Sequence, residues 1–287
     1  MQSICFFSSY YTTEQIPYYI KYYLEELQRH FTEVVFLTNE KTLSEEDHKY
    51  FKRRMIQYRL YKNEGYDFGM WYKAFQEFPV LNYDRIGLVN DSCVLFKKID
   101  FIFQWINESN LDYCGITDSN AIAYHIQSYF VVINKNAIKP VCDYFSQHQI
   151  AGQMRDVIRK YEIGLSSYLL QRKMALGAYF SNKDYKGDHN PMLYFSDKLI
   201  ALRLPLIKKK IIFCSFREEE FLSLRRMNFN IDPRFHINFI GKVNKGTEIL
   251  DFDKITGELY DKKFISKIKF YKTKSSLFQF LRKFKFH

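Results

Sequence analysis

MIQYRLYKNEGYDFGMWYKAFQEFPVLNYDRIGLVND, residues 55–91, contains the order of elements that decides the fold. Its first nine residues, MIQYRLYKN, are rich in β-prone side chains and predict a strand. FGMWYKAFQEF predicts a helix that stops at Pro79, and YDRIGLVND predicts a second strand that runs directly into a polar turn. A strand, a helix and a strand in this order predict a parallel βαβ unit.

The same alternation continues on both sides of this unit. Ser44, followed by acids, predicts the start of the helix SEEDHKYFKRR. Residues 137–174 have a mostly helical pattern. The other predicted strands are SICFFSSY, TEVVFLTN, DYCGITDS and SYFVVINK, and EQIPYYIKYYLEELQRHF predicts a helix between the first two. Together these elements predict an α/β fold with a Rossmann-type, mostly parallel sheet flanked by helices.

The composition of the 287 residues, 47 % hydrophobic and 26 % charged, is that of a globular protein. Five cysteines are widely spread without a C-x-x-C pair, which disfavours a disulfide framework or a structural zinc site and favours a reducing compartment. The N-terminus does not resemble a signal peptide, and no run approaches about eighteen apolar residues. We therefore expect a cytosolic or peripheral protein.

The net charge of +11 is concentrated at the C-terminus. Residues 262–287, KKFISKIKFYKTKSSLFQFLRKFKFH, contain nine Lys or Arg, seven aromatic residues and no acid. Such a segment suits an anionic membrane surface, and it also suits nucleic acid. A solvated tail is the third alternative. We expect membrane association and no nucleic-acid binding, because the main domain has no nucleic-acid motif.

Three polar clusters follow predicted strands, namely NEGYDFG, VNDS and GITDSNAIAYH. In an open parallel sheet, ligands bind beyond the carboxyl ends of the strands, where such loops converge. The glycine spacing is not that of a G-x-G-x-x-G dinucleotide loop, and no G-x-S-x-G motif is present. Hydride transfer with a nicotinamide cofactor and serine hydrolase chemistry are therefore not supported.

Asn90, Asp91 and Ser92 form the polar turn at the end of the predicted strand YDRIGLVND. A carboxylate at this point is a natural ligand for a hard divalent cation, which would offset charge on a departing diphosphate. The alternative is an Asx turn that only terminates the strand.

Asp67 lies between Gly65 and Gly69, where flanking glycines would permit close approach of a ligand to the backbone. Its carboxylate could accept hydrogen bonds from ribose or sugar hydroxyls. The alternative is that Asp67 is the N-cap of a helix starting at Phe68.

Glu162, in KYEIGLSSYLL, is a candidate general base, or else an acid that stabilises the first turn of a helix. His125 and His189 belong to no H-x-x-x-H or H-E-x-x-H motif, and each is more often structural when it occurs singly.

Six segments occur in an order that resembles the rhamnan synthesis protein F family of bacterial glycosyltransferases. The resemblance covers roughly residues 1–212. The segments are NEGYDFGMWYKAF, YDRIGLVNDSCVL, DYCGITDS, HIQSYFVVINK, YEIGLS and HNPMLYFSDKLIALRLPLIKKK.

The resemblance implies a GT-A-like fold and transfer of a sugar from a nucleotide-sugar donor. It suggests rhamnose as the sugar and inversion by single displacement. In such folds an acidic turn after a central strand holds Mg²⁺ or Mn²⁺ and the donor diphosphate, and the matching turn here offers only Asp91. The roles that follow are Glu162 or Asp118 as catalytic base and Asp91 with His189 as metal ligands. The residues predicted to bind the donor are Gly65, Asp67, Gly69, Asn90, Asp91, Ser92 and His125.

The predicted organisation is a glycosyltransferase domain over residues 1–212, a helical and basic C-terminal extension over 213–261 that packs on it, and a membrane-associating tail over 262–287. The implied acceptor is a lipid-linked or lipopolysaccharide saccharide of the cell surface. The expected location is the cytoplasmic face of the inner membrane. Two other classes remain open: a sugar-phosphate or nucleotidyl transferase that uses the same site, and a non-catalytic basic protein that binds nucleic acid.

Overall fold

The structure is a computed structural model that describes residues 1–11, 13–184, 190–213, 216–227, 229–230 and 233–243. The strands are β1 Ser3–Ser9, β2 Glu33–Asn39, β3 Gln57–Tyr61, β4 Arg85–Asn90, β5 Cys93–Leu95, β6 Tyr113–Ser119, β7 His125–Ile126, β8 Phe130–Asn134, β9 Leu176–Phe180 and β10 Leu206–Lys208. The α-helices are α1 Tyr18–Leu27, α2 Glu45–Arg54, α3 Tyr66–Glu77, α4 Asp100–Glu108, α5 Lys135–Ser146, α6 Met154–Val157, α7 Gly164–Gln171, α8 Pro191–Tyr194, α9 Ser196–Ala201, α10 Lys209–Ile212, α11 Glu218–Arg226 and α12 Pro233–Val243.

Eight strands form one sheet in the order β3-β2-β1-β4-β8-β6-β7, with β9 also paired to β6. The pairs from β3 to β4 and the pair β6–β9 are parallel. Strand β8 runs antiparallel between β4 and β6, and β7 runs antiparallel to β6. The predicted fold class, a Rossmann-type and mostly parallel α/β sheet flanked by helices, is confirmed.

Helices cover both faces of this sheet because its central strands are apolar on both sides. All seven residues of β1 are buried, and successive side chains point to opposite faces. Cys5 and Phe7 join the core cluster under α1, α2 and α4, whereas Ile4 and Phe6 join the cluster under α3, α5 and α7. The buried indole of Trp71 on α3 donates a hydrogen bond to the carbonyl of Phe6 (3.2 Å), which ties the second layer to the sheet.

The predicted elements are largely those observed, and their ends differ for local reasons. Ser44 is the N-cap of α2, as predicted, and its hydroxyl accepts a hydrogen bond from the backbone N–H of Asp47 (3.1 Å). Helix α1 begins only after Pro17. The helical stretch predicted over 137–174 is interrupted at 147–153 and contains a π-helix over Ile158–Ile163. The short strands β5, β7, β9 and β10 were not predicted, because pairing rather than local pattern defines them.

Helices α11 and α12 follow the main sheet domain and pack against it. Phe221 and Ile240 belong to the same core cluster as the helices on the α1 face. Lys210 on α10 forms an ion pair with Glu220 on α11 (2.9 Å). The boundaries predicted at residues 212 and 261 remain predictions, and the tail over 262–287 lies outside the described residues. None of the described helices is long and apolar enough to cross a membrane.

Gly69, in the first turns of α3, allows this helix to lie directly against the preceding loop. A Cβ atom on Gly69 would lie 1.6 Å from the carbonyl oxygen of Glu64, which belongs to the backbone and can move only if the loop itself shifts. Gly65 is in the left-handed region, with φ +72°, and precedes the first residue of α3. Close packing therefore requires Gly69, and the backbone conformation favours glycine at residue 65.

We predict that Gly69→Ala lowers the free energy of unfolding by about 1–3 kcal/mol, because the added methyl group forces the loop away from α3. Urea unfolding followed by circular dichroism measures the change. Gly152→Ala is the matched control, since a Cβ at that position would meet no atom within 4 Å. Equal stability of the two variants would show that the loop yields without cost.

Candidate active site

Strands β1, β4, β6 and β9 end at one edge of the sheet, and the polar side chains that follow them converge there. The register of β1 and β4 sets Ser8 beside Asn90, the last residue of β4. The backbone N–H of Asn90 donates to the carbonyl of Tyr129 (3.1 Å), and that of Asp91 donates to the carbonyl of Ser8 (3.1 Å). These backbone bonds hold three segments together at the carboxyl edge, which is where parallel α/β sheets bind ligands.

Asp67 is joined to this edge by two side-chain hydrogen bonds. The Ser8 hydroxyl donates to its Oδ1 (3.0 Å), and the Asn90 amide donates to its Oδ2 (2.9 Å). The Asn90 side chain also accepts from the backbone N–H of Ser92 (3.0 Å), so the Asx turn considered above is present as well. The alternative that Asp67 is a helix N-cap is wrong, because α3 begins at Tyr66 and Asp67 lies in its first turn.

The surroundings of Asp67 favour its protonated form. Burial and the nearby carboxylate of Asp91 raise the pKa of Asp67 to about 7, although the Ser8 hydrogen bond and the charges of Lys209 and Lys208 act in the opposite direction. Asp67 is therefore protonated to a much larger extent near neutral pH than an exposed aspartate would be. A neutral carboxyl group can donate a hydrogen bond as well as accept one.

Asp91 is ion-paired with Lys209, which lies 118 positions further along the chain. Its Oδ2 accepts from the Ser9 hydroxyl (2.8 Å) and from the Lys209 ammonium (2.8 Å). Lys209 Nζ also donates to the Tyr19 hydroxyl (3.4 Å). Burial lowers the pKa of Lys209, but its interactions with Asp91 and Tyr19 outweigh this effect, and the net pKa is raised. Lys209 is therefore charged at neutral pH.

Lys208 lies beside the same turn. Its ammonium donates to the Ser92 hydroxyl (3.3 Å) and lies 4.9 Å from the centroid of the Tyr129 ring. The Tyr129 hydroxyl in turn shares a hydrogen bond with Thr117 on β6 (2.8 Å). Lys208 thus bridges the turn after β4 to the segment that precedes β8.

Glu162 faces the same segment from the π-helix. Its Oε1 accepts from the backbone N–H of Ser128 (2.8 Å), and the hydroxyl of Ser166, one turn later, accepts from the N–H of Ile126 (3.2 Å). π-helical turns are rare and frequently occur at functional sites. Glu162 is partly exposed, and no hydrogen bond to its second carboxylate oxygen is found among the described residues.

Asp118 is more enclosed, at 2 % exposure. Its two oxygens accept from the Ser181 hydroxyl (3.0 Å) and from the backbone N–H of Asn182, which begins the turn after β9. Tyr124 also interacts with Asp118: burial, and then the charge of this carboxylate, raise the pKa of the Tyr124 hydroxyl. Both oxygens of Asp118 are thus occupied by structural hydrogen bonds.

The remaining predicted donor-binding residues lie at the margin of this site. His125 is buried, and its Nδ1 lies 2.8 Å from the carbonyl oxygen of Ala123. Gly65 lines a surface cleft of about 530 Å³, formed by Asn63, Glu64, Gly65, Tyr66, Ile150 and Gly152. The donor-binding roles of Gly65, Gly69 and His125 remain predictions.

The structure brings Asp67, Asn90, Asp91 and Ser92 close together at the sheet edge. Glu162 and Asp118 flank the adjoining 125–129 segment, which begins with His125. His189 lies outside the described residues. Sequence reasoning missed the hydroxyls of Ser8 and Ser9, the Tyr129 ring and the two lysines. The available signal was the KKK run directly after the apolar residues Leu206 and Ile207.

A divalent cation fits Asp91 poorly. Hard cations take several oxygen ligands, yet Oδ2 of Asp91 already accepts from a hydroxyl and an ammonium group. A different group, Glu26, His30 and Asp100, offers ligand atoms within 4.8 Å of one another and could hold a metal ion. It lies at the opposite, amino edge of the sheet, and Arg29 pairs with both of its carboxylates (2.9 and 2.8 Å).

We predict that Asp67 makes the folded protein less stable as pH rises from about 4 to about 7. The folded state retains a proton on Asp67 in this window while the unfolded state, with a carboxyl pKa near 3.8, has lost it. Asp67→Asn should remove this part of the pH dependence, so that the melting temperature of the variant gains on the wild type as pH rises. Differential scanning calorimetry between pH 4.5 and 8 measures the effect, with exposed Asp156→Asn as control. Parallel profiles for wild type and Asp67→Asn would contradict the raised pKa.

Solved structures similar to this chain include a cytidylyltransferase from Leptospira borgpetersenii (14 % identity, 84 % of this chain and 97 % of that chain, TM-score 0.41). Another is the glycosyltransferase GlyE of Streptococcus pneumoniae (10 % identity, 84 % of this chain and 64 % of that chain, TM-score 0.41). A third is a nucleotide-diphospho-sugar transferase, so described provisionally, from Desulfovibrio desulfuricans (12 % identity, 85 % of this chain and 99 % of that chain, TM-score 0.38). Neither residue roles nor substrates follow from likenesses this distant. No curated protein matches the sequence significantly.

Residues 34–269 match the family described as rhamnan synthesis protein F. The match extends over most of the 287 residues, including β2 after its first residue and every described strand from β3 to β10. It confirms the resemblance found in the sequence and the enzyme class expected from it, a glycosyltransferase. This chain therefore belongs to the rhamnan synthesis protein F family.

Proposed function

We propose that this protein transfers a sugar from a nucleoside diphosphate donor to a hydroxyl of a growing cell-surface polysaccharide or lipopolysaccharide, with inversion by single displacement. One observation carries the proposal. The dipeptide Ser128–Tyr129 contacts Glu162 through the N–H of Ser128 (2.8 Å) and the turn after β4 through the carbonyl of Tyr129 (3.1 Å). A candidate base and a candidate phosphate-binding turn are thus attached to adjacent residues.

Glu162 is the better candidate for the base. The hydrogen bond from Ser128 orients one carboxylate oxygen, while the other oxygen is left to accept the proton of an acceptor hydroxyl. Asp118 was the competing candidate, and its engagement by Ser181 and Asn182 favours a structural role. A base must reach the proton that it removes, which a partly exposed carboxylate does more readily than a buried one.

The donor would lie over the group formed by Asp67, Asn90 and Asp91. The raised pKa of Asp67 favours its protonated form, so this side chain could both donate to and accept from sugar or ribose hydroxyls. Gly65 and the cleft beside it would provide room for part of the donor. Ser92, Gly69 and His125 would also contribute to donor binding. Rhamnose is the sugar that the family name suggests.

In the proposed reaction the acceptor oxygen forms a bond to the anomeric carbon as the bond from that carbon to the diphosphate oxygen breaks. The electron pair of the broken bond stays on the nucleoside diphosphate, and the acceptor proton passes to Glu162. Stabilising the negative charge that develops on the leaving group is the largest electrostatic demand on the site. The divalent cation predicted for this purpose fits Asp91 poorly, so the positive charge would have to come from side chains of the chain itself.

We further propose that the protein works at the cytoplasmic face of the inner membrane, where a lipid-linked acceptor is located. The support is the composition of residues 262–287, with nine cations and seven aromatic residues. Binding to vesicles that contain anionic lipid should disappear when residues 262–287 are deleted, and sedimentation of vesicles measures it. Binding to oligonucleotides but not to vesicles would favour the alternative partner.

We predict that the purified protein releases nucleoside diphosphate from at least one member of a panel of nucleotide sugars, assayed with magnesium or manganese. Mass spectrometry identifies both products. Release of a nucleoside monophosphate instead would indicate a sugar-phosphate or nucleotidyl transferase. No turnover of any donor, with and without saccharide acceptors, would count against the proposed function.

Glu162→Gln should reduce transfer on the order of 10²- to 10⁴-fold, because the amide keeps the acceptor oxygen for Ser128 but cannot take a proton. The rate of product formation at saturating donor measures the loss. The control is Glu108→Gln, which makes the same chemical change at an exposed position on α4. Wild-type rates from Glu162→Gln would remove Glu162 as the base and direct the same test to Asp118→Asn.

A further inference from the structure

The turn at Asp91 receives its positive charge from two lysines of the chain itself. The side chain of Asp91 is 9 % exposed and that of Lys209 is 21 % exposed, and the two are joined at 2.8 Å. An ion pair this enclosed is screened little by solvent and is costly to separate. A cation that approached Oδ2 of Asp91 would first have to displace the ammonium group.

Lys208 differs from Lys209 in having no carboxylate contact. Within the described ranges, its ammonium meets only the Ser92 hydroxyl and the face of the Tyr129 ring. It lies close enough to Asp67 to lower the pKa of that carboxyl group. Lys208 is thus a cation held at the site by neutral partners, with donors left for an anionic ligand.

The backbone fixes both lysines against the turn after β4. Strand β10 pairs antiparallel with β5, which sets Lys208 beside Cys93, and the N–H of Lys209 donates to the carbonyl of Ser92 (2.9 Å). The pair of short strands therefore carries the two ammonium groups to a defined position. The adjacent Lys210 points elsewhere and forms an ion pair with Glu220 (2.9 Å).

We propose that Lys208 binds the departing diphosphate and that Lys209 neutralises Asp91, so that transfer needs no divalent cation at this turn. This inference rests on the proposed function. When the bond from the anomeric carbon to the diphosphate oxygen breaks, the electron pair stays on that oxygen, and the Lys208 ammonium donates hydrogen bonds to the phosphate oxygens. Lys209 is a positioning residue, which holds Asp91 in place and offsets the charge of this carboxylate.

The first test measures nucleoside diphosphate release by the wild type in EDTA and in Mg²⁺ or Mn²⁺. The rate should stay within about twofold. Lys208→Met should lower the rate on the order of 10²- to 10³-fold, Lys208→Arg should recover part of it, and Lys210→Met should match the wild type. Activity that is lost in EDTA and restored by Mg²⁺ or Mn²⁺ would overturn the proposal, as would a wild-type rate from Lys208→Met.

Lys209→Met separates positioning from simple stability. The variant exposes the Asp91 carboxylate to cations, so its lost activity in EDTA should be partly restored by Mn²⁺, whereas a folding defect would not respond to the ion. Failure of Mn²⁺ to restore any activity in a variant with a wild-type circular dichroism spectrum would contradict the role of Lys209.

Binding of uridine and thymidine diphosphate in EDTA, measured by calorimetry, distinguishes failure of this inference from failure of the proposed function. Binding that Lys208→Met weakens on the order of 10- to 100-fold, without transfer from any donor, would uphold the lysine site and reject the transferase. Transfer that is unaffected by Lys208→Met would reject the lysine site and uphold the transferase. No binding of either nucleotide, in the wild type, would overturn the lysine site.

Discussion

The parallel pairing of β1 with β4 is the constraint on which the rest of the structure depends. Both strands are buried along their whole length, and they are neighbours at the centre of the sheet. Their register sets Ser8 beside Asn90. A shift of one residue would move every side chain of one strand to the opposite face of the sheet. It would separate Ser8 from Asp67 and turn the alternating apolar residues of β1 away from the clusters that receive them.

The polar edge that this register creates brings two carboxyl groups, Asp67 and Asp91, close to two lysines, Lys208 and Lys209. Burial, and then the nearby carboxylate of Asp91, raise the pKa of Asp67. Lys209 compensates the other carboxylate directly. The site therefore contains an acid with a raised pKa, an ion pair and one further ammonium group, Lys208. An anionic ligand suits such a site, because it would find hydrogen-bond donors and a cation already in position.

The elements of the fold were largely predictable, because their patterns are local. The apolar run ICFF in β1, the N-cap Ser44 and the stop at Pro79 each act within a few residues. The candidate site was predictable only where a polar cluster follows a strand, as for Asp67, Asn90, Asp91 and Ser92. Ser8 and Ser9 gave no such signal, since two serines at the end of a strand are common. The position of Glu162 beside Ser128 could not be predicted from the sequence either, because Glu162 lies in a π-helix and its side chain is directed by that turn.

The sequence by itself determined the alternation of strands and helices, the family, and the polar turn at Asp91, because each of these depends on residues that are close together in the chain. Only the tertiary structure decided that Lys208 and Lys209 lie at that turn, 117 and 118 positions further along the chain than Asp91. The physical reason is that β10 is three residues long and gains its conformation from pairing with β5. A strand this short has no local sequence pattern that predicts it. The position of the Lys208 and Lys209 charges at the site therefore follows only from the pairing of β10 with β5.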